Sequence, residues 1–303
     1  MAAGPVSRRH GIDLSYYDLG RTPFFACALD PRFSYCLYVP EDYDETGTKR
    51  YDLIVAVHGT DRTASEYRDR FAAFCDEHDC IVLAPLFPAG LGRRTELHDY
   101  KFIGYGGIRF DRILLAMVDE VAAKYRVDAS RLLMHGFSGG GQFVHRFLYL
   151  HPERLRAASI GAPGLVTLLD PRWPWWAGTG GVSEEFGVRL DVDAMRRVAV
   201  QMVVGADDTD TWEITVTERD ELWVEGADAA GANRIDRLES LRGSFEAAGI
   251  PVRFDVVPGA AHNGFDVLDA VRAFFRDELA GPPAPARKSA QKSARKGNGA
   301  GAP

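Results

Sequence analysis

Ser138 lies in the run Gly136-Phe137-Ser138-Gly139-Gly140, with a glycine two positions before it and another two positions after. The apolar stretch "LLMH" precedes the run and an amphipathic stretch follows, so the serine falls where a strand gives way to a helix. G-x-S-x-G in that context presents a hydroxyl on a turn too sharp for side chains at the flanking positions, as a nucleophile requires. The start of the helix adds free amides and the positive end of its dipole, which favour a developing negative charge. Unassisted, a serine hydroxyl attacks poorly. The chemistry therefore calls for a base and for an acid that orients the base, in the chain order serine, acid, histidine.

His262, in "PGAAHNGFD", is the expected base. Of eight histidines it alone follows a C-terminal strand in a glycine-flanked loop. His10, His78 and His98 lie in segments that read as surface, and His145 and His151 belong to the helix after Ser138. The acid falls in "VVGADDTD", where Asp207, Asp208 and Asp210 share one loop; Asp208 is the first choice and Asp210 the next. Acyl transfer also needs donors aimed at the oxyanion. The backbone N–H of Gly139 is one candidate, and that of Thr60, in "VHGTDRTA" at the end of an early strand, is the other.

These residues need a scaffold that brings strand ends together. Short β-branched or aromatic runs alternate with longer amphipathic ones. Strands are expected at 24–30 and 33–40 as a hairpin, then at 51–59, 80–87, 131–137, 157–164, 197–205 and 252–259. Helices are expected at 64–79, 110–126, 141–155, 235–249 and 265–279. The alternation predicts an α/β fold with a mostly parallel sheet, right-handed crossovers and helices on both faces. The stretch at 165–196 is long enough to act as a lid or cap, and "PRWPWW" within it makes Trp175 and Trp176 candidates for substrate contact. A loop at 88–107 is expected to border the site, with Tyr105, Arg93 or Arg94 available to a polar substrate group.

The segments "AVHGTDRTASEY" and "IRFDRILLAMVDEVAAKYRVDASRLLMHGFSGGG", with the loops carrying Asp208 and His262, resemble the α/β-hydrolases. The similarity is greatest to the branch of polyhydroxyalkanoate depolymerases and of feruloyl and acetyl-xylan esterases. It spans roughly residues 50 to 280. It implies a triad of Ser138, Asp208 and His262, with Thr60 and Gly139 as oxyanion donors. The activity it implies is hydrolysis of a small to medium, apolar or aromatic carboxylic ester or lactone through an acyl-enzyme. An amide or peptide hydrolase with the same triad, and a hydrolase fold used only for binding, are the alternatives.

Composition narrows the partners. With 43 acidic and 36 basic residues the formal charge is −7, and no basic run interrupts the first 280 residues, which argues against nucleic acid. No stretch reaches the roughly 18 apolar residues of a membrane span, and the N-terminus lacks the apolar core of a secretory signal. The expected compartment is the cytoplasm. The four cysteines show no zinc spacing and read as reduced core residues, so neither metal nor cofactor is expected. Residues 1–280 read as one catalytic domain and 281–303, rich in Ala, Pro, Lys and Arg, as a disordered basic tail. The oligomeric state is not encoded in any feature of this kind.

Overall fold

Uninterrupted apolar runs form strands that can be covered on both faces, and they build the centre of this molecule. The computed structural model describes residues 14–281, so the expected tail, apart from Gly281, lies outside the described residues, as does His10. Short strands β1 (Gly20–Arg21) and β2 (Phe25–Ala26) precede β3 (Ser34–Val39) and β4 (Tyr51–Val57). Helix α1 (Ala64–His78) leads to β5 (Cys80–Leu86), and a small hairpin of β6 (Gly104–Tyr105) and β7 (Ile108–Arg109) leads to α2 (Phe110–Lys124). Next come β8 (Val127–Phe137), α3 (Gly139–Leu150) and β9 (Leu155–Gly161). Two short helices, α4 (Val182–Phe186) and α5 (Val192–Met195), precede β10 (Ala199–Gly205). The chain closes with α6 (Arg234–Ala247), β11 (Val252–Val257) and α7 (Leu268–Ala280).

One sheet of nine strands runs in the order β1-β3-β5-β4-β8-β9-β10-β11, with β2 beside β3. From β5 through β11 every pairing is parallel, and β3 joins β5 antiparallel. This is the mostly parallel α/β architecture expected from the sequence, including the hairpin formed by β2 and β3. Helices α1 and α7 pack against each other and against the sheet, while α2, α3 and α6 pack on its central and later strands. β4 and β5, near the centre, are buried at all but one position each, whereas β11, at the edge, has only half-buried and exposed positions. All four cysteines are buried. Among the described residues, no helix is long and apolar enough to cross a membrane.

Two boundaries in the elements that flank Ser138 differ from expectation. The helix after Ser138 ends at Leu150 rather than near 155, because Pro152 lacks the N–H that another turn would need; β9 then begins at Leu155. The strand ahead of Ser138 is longer than read, starting at Val127, with a register irregularity near Leu132.

Candidate active site

Parallel strands leave their C-terminal ends on one edge of the sheet, and there the chemical groups gather. Ser138 follows β8, Thr60 follows β4, Asp208 follows β10 and His262 follows β11.

Ser138 has φ 55° and ψ −116°, a strained left-handed conformation for a residue with a side chain. Its N–H is held by the Gly161 carbonyl at 2.9 Å and its carbonyl by the Gln142 N–H at 3.0 Å. The flanking glycines are sterically required. A Cβ on Gly136 would lie 2.4 Å from Gly140 backbone atoms, and one on Gly140 would lie 2.2 Å from the Val57 carbonyl oxygen. This crowding pins the start of α3 against β4 and lifts the Ser138 hydroxyl clear.

His262 Nε2 lies 3.0 Å from Ser138 Oγ, and its Nδ1 lies 2.6 Å from Asp208 Oδ2. The carboxylate can only accept, so Nδ1 carries the proton and Nε2 is left to accept from the serine hydroxyl. Asp208 is 1 % exposed, whereas Asp207 and Asp210 point to solvent. Of the three aspartates in this loop, Asp208 alone reaches His262. Its other oxygen accepts from Arg234 Nη1 at 3.3 Å, and Arg234, the first residue of α6, also pairs with Glu213.

The Thr60 amide is oriented by His58. The Phe87 N–H donates to His58 Nε2 at 3.0 Å, so the proton sits on Nδ1, which donates to the Gly59 carbonyl at 2.8 Å. Complete burial pushes this imidazole down to about 3, keeping it neutral. In a trans peptide the N–H points opposite to the C=O, so fixing the Gly59 carbonyl on the His58 ring turns the Thr60 N–H away from it. Thr60 and Ser138 line the same pocket. Gly139 opens α3, and its N–H is among those with no acceptor inside the helix. A Cβ at Gly139 would lie 2.4 Å from Tyr100 Oη and 2.8 Å from Lys101 Cε, so both side chains press on the serine turn.

The pocket beside Ser138 holds about 230 Å³. Its walls come from Thr60, His98, Lys101, Gln142, Gly164, Leu165, residues 213–216 and 220–222, and Arg234. Of the stretch at 165–196, expected as the lid, only Leu165 reaches this wall; the loop between β10 and α6 supplies Glu213–Val216 and Asp220–Leu222. Trp176 is 5 % exposed and packs with Phe102, Leu165, Val216 and Ala227, its Nε1 donating to the Leu222 carbonyl at 2.8 Å. Trp175 stacks edge-on against Phe186. Neither tryptophan lines the pocket, and neither does Tyr105, whose hydroxyl donates to Glu96 at 2.8 Å. Arg93 pairs with Glu221 at the rim.

Sequence reasoning missed Lys101 and misread His98. Both belong to the 88–107 loop and both line the pocket, with Lys101 Nζ 2.9 Å from His98 Nδ1. His98 is held down at about 4 by burial and by the Lys101 charge. One local signal was available: Lys101 lies between Tyr100 and Phe102, whose rings bury in the core and carry the lysine inward.

Sheet order, strand-end placement and the serine turn are those of an α/β-hydrolase fold. No family model matches the chain. Feruloyl esterase B of Neurospora crassa is 30% identical over 124 residues, and the aligned part spans 40% of this chain and 41% of that relative's length. By structure the chain is similar to a poly(3-hydroxybutyrate) depolymerase from Bordetella parapertussis, with a TM-score of 0.67 and 22% identity over 86% of this chain and 91% of that one. It is also similar to poly(aspartic acid) hydrolase-1 from Sphingomonas sp. KT-1, with a TM-score of 0.66 and 19% identity over 84% of this chain and 97% of that one.

Proposed function

We propose that this protein is a serine hydrolase that cleaves a small to medium carboxylic ester through an acyl-enzyme on Ser138. One observation carries the reading: the unbroken line Ser138 Oγ, His262, Asp208, at 3.0 and 2.6 Å, whose serine lines a pocket. The relatives named as esterases and depolymerases support it. His262 Nε2 takes the serine proton as Oγ bonds to the ester carbonyl, and Asp208 stabilises the imidazolium that forms. The N–H groups of Thr60 and Gly139 receive the oxyanion. Collapse of the tetrahedral intermediate breaks the C–O bond and passes the proton from His262 to the leaving alcohol. Water then attacks the acyl-enzyme by the same route, returning Ser138 and releasing the acid.

The test is a panel of nitrophenyl esters of graded acyl length, with wild type and Ser138→Ala, alongside labelling by a fluorophosphonate probe. Wild type should turn over short and medium esters and be labelled on Ser138. Ser138→Ala should fold normally, resist the probe and keep no more than the roughly 10³ to 10⁴ over water that binding and oxyanion contacts provide alone. Undiminished hydrolysis by Ser138→Ala would reject the reading.

A further inference from the structure

A cation is expensive to bury without an anion beside it. Two such cations stand side by side behind the serine turn. Lys101 is 3 % exposed and Arg146 fully buried, and among the described residues neither has a carboxylate oxygen within 4.0 Å. Arg146 is satisfied by neutral acceptors, donating to Thr167 Oγ1 at 2.8 Å and to the carbonyls of Lys101 and Leu165. The Lys101 ammonium has only the His98 ring, at 2.9 Å, and it faces the pocket.

The other charges around the pocket are already occupied. Glu213 holds Arg234, Glu221 holds Arg93, and Asp220 accepts from the Thr217 N–H and hydroxyl. Around the lysine, Arg62 and Arg146 add positive charge, and Glu213 and Asp99 are the acids that act on it from beyond ion-pair distance; burial raises the pKa of Asp99, which weakens it as a counter-charge. Of the lysine and arginine that line the pocket, Lys101 is thus the one with no carboxylate at ion-pair distance among the described residues.

We propose that Lys101 is a substrate-reading residue that binds a carboxylate on the ester being cleaved, so that the preferred substrates are half-esters of diacids or esters of similarly acidic acyl chains. The inference rests on the hydrolase reading above and narrows its substrate class. A single carboxylate matches the one open ammonium, whereas the second negative charge of a dianionic phosphate would find no second open cation among the pocket-lining residues. Position agrees, because Lys101 Cε lies 2.8 Å from where a Gly139 Cβ would stand, beside the amide proposed to hold the oxyanion. Burial also brings Lys101 down to about 8, so the ammonium is present at pH 7 and is lost within an accessible range.

The experiment compares kcat/KM for 4-nitrophenyl hydrogen glutarate with that for its neutral methyl ester, as a ratio in which the shared catalytic steps cancel. Wild type at pH 7 and low salt should favour the acid by at least about tenfold. The ratio should fall at least about tenfold in Lys101→Met and be largely kept in Lys101→Arg. In wild type it should decline as pH rises through about 8, the sign expected when a cation binds the anion, since kcat/KM follows ionisation of the free enzyme. This arm needs no variant, so it decides the matter even if Lys101→Met fails to fold. A wild-type ratio near one, a ratio indifferent to Lys101→Met, or equal losses on both esters would overturn the proposal. Should wild type cleave neither ester, the hydrolase reading falls; glutarate binding measured by calorimetry, present in wild type and lost in Lys101→Met, then still supports the subsite, and its absence rejects it.

Discussion

Asp207, Asp208 and Asp210 are chemically identical and lie within four positions, yet backbone hydrogen bonds send one inward and leave two in water. The Asp207 N–H is tied to Ala260 and the Asp208 N–H to Gly205, which turns the Asp208 side chain under His262. Asp208→Asn should keep the fold but present the wrong hydrogen-bonding partner to the imidazole, with a loss of about 10⁴-fold in kcat. Asp207→Asn and Asp210→Asn, both exposed, should stay within about threefold of wild type. Steady-state kinetics on the three variants checks this, and equal losses at Asp207 would reassign the acid. Glycine patterns and chain order singled out Ser138 and His262, which lie within hydrogen-bond distance of each other. The acid was legible only to within a loop, since side-chain direction after a strand depends on turn bonds that composition does not reveal. Lys101 was legible only as a residue carried inward by Tyr100 and Phe102; that it lacks a carboxylate at ion-pair distance is a property of the folded neighbourhood.

Strands were read closely where apolar runs are continuous, as in β4 and β5, because burial on both faces leaves little else such runs can do. The stretch expected as a lid gives only Leu165 to the pocket wall, for an instructive reason. Aromatic density in "PRWPWW" marks a segment that gains most by packing away, and it does so in a cluster with Phe102, Leu165 and Val216. The loop after β10, more polar and with Trp212 exposed, is the one free to overhang Ser138. Trp176 supports that loop from behind, through Val216 and the Leu222 carbonyl. Trp176→Ala should therefore cost about 3–5 kcal/mol of stability, the range for emptying a buried tryptophan site. It should lower kcat/KM for acetate and bulky esters by similar factors. Thermal melting and a two-ester comparison test this; a loss confined to bulky esters at unchanged melting temperature would restore Trp176 to substrate recognition.

At the scale of the whole molecule, the groups of the candidate site are drawn from positions as far apart as Thr60 and His262, and they meet only when β4, β8, β9, β10 and β11 assemble in that order in one sheet. These supports are not equally secure. β4 and β8 have neighbours on both sides, whereas β11 closes the sheet and is bonded only to β10. Edge elements open locally at lower free energy than the core. The histidine is thus mounted on the most easily detached plank of the platform. In a urea titration, turnover of a nitrophenyl ester should vanish at a lower concentration than the far-ultraviolet helical signal, and coincident midpoints would show instead that β11 is lost only together with the centre. Where the two curves separate, enzyme activity becomes a gauge of fraying, reporting the departure of six edge residues, Val252–Val257, while the rest of the protein still looks intact to the spectrometer.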